Sequence, residues 1–358
     1  MNLDDLSRFK ELDPQGMLVH IDGLPDQLQT AWELSLTQPF EGSKPSKGSL
    51  RQIVICGMGG SAIGADLVSA AVMDTCPVPI IVHRDYGLPA FAKGPETLVI
   101  CSSHSGNTEE TLDAFDVAVR NDCRVLAIAT GGKLSEKARE ASISVWQFEH
   151  IGQPRAAVGF SFGLILGVLS RLGLVPDASE DIAGAVNAMK SQQMALVAES
   201  PVSKNPAKRL AGQLVGRWVT VFGSGALAPV ARRWKGQLNE VAKAVANFEF
   251  IPEADHNTLA GILYPPEVVP PHVISLFLRA PSDHPRNRLR LDITRKTYML
   301  EGLNADGYTA KGDSVIAHIW TALHFGDYMA YYLAMAYGVD PTPVDALENL
   351  KVALKKEK

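Results

Sequence analysis

Four short apolar runs, Ile53-Val-Ile-Cys56, Ile80-Ile-Val82, Leu98-Val-Ile-Cys101 and Val125-Leu-Ala-Ile128, set the tightest limit on how this chain folds. Each is apolar at consecutive positions, so neither face of a strand built from it can be left to water. Strands buried on both faces belong to parallel sheets covered by helices. The segments between the runs are long enough for crossover helices, and Gly or Pro punctuates them. The pattern predicts a doubly wound α/β unit.

A second series follows. Trp218-Val-Thr-Val-Phe222 leads into Gly223-Ser-Gly225 much as Ile53–Cys56 leads into Gly57-Met-Gly-Gly60, and Val273–Leu278 resembles Leu98–Cys101. We read a diverged internal duplication centred near residues 180–205. The expected division is a helical segment and linker over 1–48, the linker being Gly42–Gly48, then a first α/β domain over 49–180. A connecting helix over 181–204, a second α/β domain over 205–340 and a final helix over 341–358 complete it.

With 46% hydrophobic and 20% charged residues among 358, the chain has the composition of a globular protein large enough for two cores. A formal charge of −5 argues against a nucleic-acid partner, which needs clustered Lys and Arg. A small anion needs only a few local donors. Cys56, Cys76, Cys101 and Cys123 form no CxxC spacing and read as free thiols of a reducing cytoplasm. The acidic, polar first residues carry no signal-peptide pattern. The most apolar stretch, 156–169, is too short to span a bilayer and reads as a helix buried between layers, so no membrane association is expected.

Two loops at predicted strand ends point to an anion site. Gly57-Met-Gly-Gly-Ser-Ala-Ile-Gly64 opens a helical pattern, where glycines admit backbone N–H groups to an anion and the helix N-terminus adds partial positive charge. Gly59, Gly60 and Ser61 are the candidate contacts; a tight turn without a ligand is the plain alternative. Gly57-x-Gly59-x-x-Ala62 also fits a dinucleotide fingerprint, but that motif needs an acid closing the next strand. Asp74 precedes Ile80–Val82 and Asp85 follows late, which makes a nicotinamide site a poor reading. Ser102-Ser-His-Ser-Gly-Asn-Thr-Glu-Glu-Thr111 follows the third run. Asn107 and Glu110 have capping-box spacing, predicting a helix start there with Leu112, Phe115 and Val119 as its apolar stripe. Ser103, Ser105 and Thr108 bring hydroxyl donors without charge. The two loops together favour a phosphate ester.

Ser103–Thr111 closely resembles the phosphate loop of sugar isomerase (SIS) domains, and Gly57–Gly64 the first loop of the bifunctional phosphoglucose/phosphomannose isomerases. Arg232-Arg-Trp-Lys-Gly-Gln-Leu-Asn-Glu-Val-Ala-Lys243, with Pro252-Glu-Ala-Asp-His-Asn257, is similar to that family's catalytic region. Gly326-Asp-Tyr, Tyr331-Tyr-Leu-Ala334 and Gly338-Val-Asp-Pro341 resemble its C-terminal signature. The resemblance covers roughly residues 50 to 351. It implies two flavodoxin-like SIS domains, each a doubly wound parallel sheet in three α/β/α layers, and a homodimer with the site shared between subunits. It implies an aldose–ketose isomerase that interconverts glucose 6-phosphate, and mannose 6-phosphate, with fructose 6-phosphate through an enediol. No cofactor is implied. The nine histidines include no HExxH and no close His–Cys cluster, so no metal site emerges.

Spacing alone makes Glu240 half of a solvated Glu–Lys helix pair with Lys243, beside an apolar stripe of Trp234, Leu238, Val241 and Val245. It makes His256 a surface histidine. The resemblance instead makes Glu240 the base that moves a proton between C1 and C2, and His256 the ring-opening acid–base group given to the neighbouring subunit's site. It assigns Arg155, at the mouth of the apolar stretch, to the developing enediolate. Lys351 of the final helix enters the site by the same analogy, with Lys355 and Lys356 as rivals, and Thr342 lines the sugar pocket. The chain departs from the family at His104, where Tyr is common, and at Ala65, where Gly often stands. The alternative is a non-catalytic sugar-phosphate-binding or regulatory SIS protein. Glu240 and His256 in matching contexts, and no helix-turn-helix before residue 50, favour an enzyme. His83-Arg-Asp-Tyr86 reads as a charged loop at the cleft or an interface, and His284–Lys296 as a solvated or intersubunit face.

Overall fold

The computed structural model describes residues 2–40 and 48–357, so most of the expected 42–48 linker lies outside the described residues. Three helices, α1 (Leu6–Leu12), α2 (Met17–Asp22) and α3 (Leu24–Thr37), come first. The first sheet series is β1 (Gln52–Cys56), α4 (Gly59–Ala71), β2 (Ile80–His83), β3 (Thr97–Ser103), α5 (Glu109–Arg120), β4 (Arg124–Ala129), α6 (Gly132–Glu140), β5 (Val145–Gln147) and α7 (Val158–Arg171). Two helices, α8 (Ser179–Leu196) and α9 (Pro206–Leu214), lead to β6 (Trp218–Ser224), α10 (Ala228–Glu240), β7 (Ala246–Ile251), α11 (Val269–His272) and β8 (Val273–Arg279). The chain closes with α12 (Pro285–Leu300), β9 (Asn304–Thr309), α13 (Val315–Tyr337) and α14 (Asp345–Lys356).

Both sheets are parallel, in the orders β2-β1-β3-β4-β5 and β7-β6-β8-β9. β1 and β6 therefore hold the same place, the point where strand order reverses and the loops diverge to leave a crevice. Their exits match in backbone too. Met58 is extended (φ −126°, ψ 157°) before Gly59 at φ +50°, and Ser224 is extended (φ −132°, ψ 158°) before Gly225 at φ +50°. The repeat seen in sequence is a repeat of structure.

Alternation along each strand sorts its side chains. Ile53, Ile55, Leu98 and Ile100 of the first sheet, and Val219, Val221, Ile274 and Leu276 of the second, face one common core. Their neighbours Val54, Cys56, Val99 and Cys101 face an outer core with Phe115 of α5 and Leu134 of α6. On the second sheet's outer face Phe222 and Phe277 stack on each other and meet Tyr298 of α12 edge-on. Helices α7 and α13 fill the common core and are buried on nearly every side, which is why neither shows an apolar stripe in sequence. Each half has three layers, helix, sheet and helix, with the inner layers packed on one another.

Several local expectations need correction. α5 begins at Glu109 with Thr108 as its N-cap, not at the Asn107 capping box. The Asn107 side chain instead accepts from Lys133 N and donates to Ser105 O, tying two loops together. The buried stripe of α5 is Thr111, Ala114, Phe115 and Ala118, and Val119 is exposed. α10 stops at Glu240, Lys243 takes φ +57° outside it, and Val245 is exposed, so Glu240 and Lys243 do not form a helix-surface pair. Two strands escaped the sequence pattern: β5 is only three residues long, and β9 is a half-buried edge strand reading Asn-Ala-Asp-Gly-Tyr-Thr. Among the described residues, no helix is long and apolar enough to cross a membrane.

Candidate active site

The site starts where β1 and β3, paired side by side with Cys56 opposite Cys101, release their loops. The β1 loop enters α4 on glycines for two separate reasons. Gly59 needs positive φ, and a Cβ on Gly60 would run into the Pro154 carbonyl. The second contact draws the 3-10 turn Pro154–Ala156, and with it Arg155, against the start of α4.

The β3 loop supplies hydroxyls. Ser103 Oγ lies 2.8 Å from Thr108 Oγ1 and accepts from Gly106 N at 3.1 Å. Ser105 Oγ accepts from Asn107 N at 3.2 Å, and Ser61 Oγ, from the other loop, accepts from His104 N at 3.3 Å. Ser61, Ser103, Ser105 and Thr108 thus gather at the openings of α4 and α5, whose dipoles add partial positive charge. Thr108 makes no side-chain cap bond, so its hydroxyl pairs with Ser103 at the mouth of the helix instead of closing it. This arrangement suits the terminal oxygens of a phosphate ester, held by neutral donors.

A cavity of about 260 Å³ lies between the halves, walled by Gly59, Gly60 and Arg155 on one side and by α10 and Phe248 on the other. Among the described residues its only carboxylate is Glu240, against five cations: Arg84, Arg155, Arg232, Arg233 and Lys235. Four of the five have a fixed acidic partner. Arg84 and Arg232 share Asp66, with Arg232 also lying 5.2 Å over the Phe248 ring, and Arg233 pairs with Asp327. Arg155 approaches Glu240 at 3.5 Å. Lys235 has no acidic partner among the described residues. A larger cavity of about 810 Å³ meets the first at Lys235, Gly236 and Glu240 and runs on along residues 339–347. The Glu240 carboxylate therefore faces open space on both sides.

Glu240 ends α10 and is 34% exposed at its side chain, whereas the Arg155 side chain beside it is 3% exposed. Burial lowers the Arg155 guanidinium from its ordinary pKa, and the Glu240 charge opposes that shift. Arg155 Nη2 donates to Pro341 O at 3.0 Å and also to Thr342 O. Lys243 Nζ donates to Glu240 O at 2.6 Å and to Pro341 O at 3.5 Å. Burial, then the nearby Arg155 charge, lowers the Lys243 ammonium pKa. The Thr342 hydroxyl is buried and has no hydrogen-bond partner among the described residues. A carboxylate, a guanidinium and the 341–342 turn are thereby locked in one arrangement.

The structure brings Gly59, Gly60, Arg155 and Glu240 into one cavity, with Thr342 bound to Arg155 behind it. Ser61, Ser103, Ser105 and Thr108 form the adjoining hydroxyl cluster. His256 and Lys351 line neither cavity: His256 is exposed at the end of the turn after β7, and Lys351 is exposed on α14. Arg84, Asp66, Arg233 and Lys235 escaped assignment from sequence. The charged loop at His83–Tyr86 was the available signal for Arg84, and the Arg232–Lys243 motif for Arg233 and Lys235; Asp66, inside α4, carried none. A further group was not legible at all. His104 Nε2 stands 3.0 Å from His150 Nδ1, whose ring centroid is 5.2 Å from that of His20. Among the described residues, no group of three or more His, Cys, Asp or Glu is placed to hold a metal ion.

A family model, bacterial phospho-glucose isomerase C-terminal SIS domain, matches residues 203–354. A bifunctional phosphoglucose/phosphomannose isomerase of Caldicellulosiruptor bescii is 38% identical over 96% of this chain and 100% of its own length. Another from Aquifex aeolicus is 35% identical over 87% of this chain and 92% of its own. The solved C-terminal domain of glucosamine-fructose-6-phosphate aminotransferase from Francisella tularensis shares the fold at 14% identity, with a TM-score of 0.72 over 91% of this chain and 98% of that one. On the strength of the first two, the chain belongs to the bifunctional phosphoglucose/phosphomannose isomerase family.

Proposed function

We propose that this protein interconverts glucose 6-phosphate and mannose 6-phosphate with fructose 6-phosphate, by proton transfer between C1 and C2. The observation that carries the reading is the Glu240 carboxylate, open to the cavity and 3.5 Å from Arg155, beside a hydroxyl cluster suited to a phosphate. The phosphate rests on Ser61, Ser103, Ser105 and Thr108 at the two helix openings, the end of the substrate that does not react. Glu240 removes the proton from C2 of the aldose and returns it to C1, the electron pair passing through an enediolate. Arg155 neutralises the developing oxyanion; its charge is already desolvated, so little reorganisation is needed. Thr342 supports the sugar pocket from behind, its carbonyl accepting from Arg155 Nη2.

The ring-opening group in this reading is His256 from a second copy of the chain. Its exposure and its distance from the chain's own cavity support a homodimer with shared sites. Lys351 approaches by the same route: α14 buries no side chain and leaves Leu347, Leu350 and Leu354 uncovered. The four free cysteines suit the reducing cytoplasm as its place of work. A coupled assay of the purified protein on glucose 6-phosphate and on mannose 6-phosphate, with EDTA present, tests the proposal. Fructose 6-phosphate is expected from both. A folded protein that forms it from neither refutes the reading, and activity that EDTA abolishes refutes its metal-free chemistry.

A further inference from the structure

Arg155 is held at both ends by one helix. Arg233 and Glu240 stand seven residues apart on α10, two turns along one face. Glu240 meets the Arg155 guanidinium at 3.5 Å, while Arg233 Nη2 donates to the Arg155 backbone carbonyl at 2.8 Å. Arg233 is itself fixed from α13: its Nη2 donates to Asp327 Oδ2 at 2.8 Å and its Nε to Asp327 Oδ1 at 3.3 Å. Both side chains are 4% exposed. The two helices are also keyed together at Gly326, where a Cβ would run into the Trp234 indole, whose Nε1 donates to Ala322 O at 2.8 Å.

A buried ion pair is a poor way to gain stability, since an apolar pair of similar volume avoids the desolvation cost. What an apolar pair cannot do is donate to the Arg155 carbonyl. That carbonyl belongs to the 3-10 turn packed against Gly60, and the turn has no other side-chain donor from α10. We infer that the Arg233–Asp327 pair is a positioning device: it sets the height of Arg155 along α10, and so the distance between the cavity's guanidinium and the Glu240 carboxylate. Arg233 acts through Arg155 and touches no reacting atom. An error of about an ångström in such a placement is worth up to about a hundredfold in rate.

The inference rests on the isomerase reading above and is tested on the active protein. Replacing both charges together, Arg233→Met with Asp327→Leu, leaves no orphan charge in the core. The double variant should remain folded, lose kcat about tenfold or more, and keep KM for glucose 6-phosphate within about twofold, because the phosphate grip is elsewhere. Its loss should also fail to multiply with that of Arg155→Lys, since both act on one group. A folded double variant with wild-type kcat, or losses that multiply, overturns the inference. Should the double variant not fold, Arg233→Lys, which keeps a charge on Asp327, carries the same comparison, and wild-type kcat there overturns it equally. Inactive wild-type protein would instead strike at the isomerase reading itself.

Discussion

The two halves share a strand order and a loop geometry, yet they present opposite chemistry to the cleft. At the exits of β1 and β3 the first half offers Ser61, Ser103, Ser105 and Thr108, all neutral, at the openings of two helices. At the equivalent exit of β6 the second half offers α10, with Arg232, Arg233, Lys235 and Glu240 facing the cavity. Its β8 loop closes on its own acid, Asp283, buried with Oδ2 accepting from Ala280 N at 2.9 Å. One duplicated frame thus has one half suited to gripping an anion and the other to moving charge. Neutral hydroxyls bind a dianion without bringing a cation that competes with the reacting centre, which leaves the charged groups free to act where charge develops.

That division separates binding from turnover, and substitutions test it. The largest effect belongs to the second half: Glu240→Gln should lower kcat about a thousandfold or more while calorimetry still detects glucose 6-phosphate binding. Near-wild-type turnover in that variant would remove Glu240 from the mechanism. Arg155→Gln comes next, with kcat down about a hundredfold and KM little changed. Arg155 lies in the first half by sequence but faces Glu240 in space, so a loss confined to KM would move it to the gripping side. The Ser105→Ala/Thr108→Ala double variant should raise KM roughly a hundredfold or more, each of the two lost bonds to a charged group costing about 1.5–3 kcal/mol, with kcat held within a few-fold. A fall in kcat at constant KM would invert the comparison.

The smallest effect is on stability and concerns the first half alone. Burial, with the nearby His104 and His20, holds the His150 imidazole at about 4 against an ordinary 6.5. Between those values the unfolded chain binds a proton that the folded chain refuses, so this group withdraws stability as pH falls from 6.5 towards 4 and adds no further change below that. His150→Gln should flatten that part of the melting-temperature profile recorded from about pH 7.5 to about pH 4.5. Parallel profiles for the two proteins would show that the cluster is not held neutral by the fold.

Much of this frame was legible in the residues. Continuous apolar runs such as Ile53–Cys56 identify strands buried on both faces, and the hydroxyls of Ser103, Ser105 and Thr108 stand close enough in sequence to be read as one group. β9 was hidden because an edge strand needs neither a long run nor two apolar faces, and Asn304–Thr309 has neither. The charged half was hidden for another reason. Arg155 and Glu240 are 85 residues apart, and Arg233 and Asp327 are 94, so no local spacing records that they meet. Glu240 by itself looked like a surface carboxylate, and only a whole-motif resemblance singled it out. The Asn107 capping box failed because the loop uses that side chain to join Ser105 and Lys133.

If Glu240 carries a proton between neighbouring carbons, hydrogen exchange reads that step directly. Glucose 6-phosphate and the wild-type protein are incubated in D2O, and the recovered sugar phosphates are examined by NMR. Deuterium is expected at C2 of glucose 6-phosphate and at C1 of fructose 6-phosphate with wild type, and at neither with Glu240→Gln. Exchange that persists in the variant, or wild-type conversion that leaves both carbons free of deuterium after many turnovers, would contradict that role.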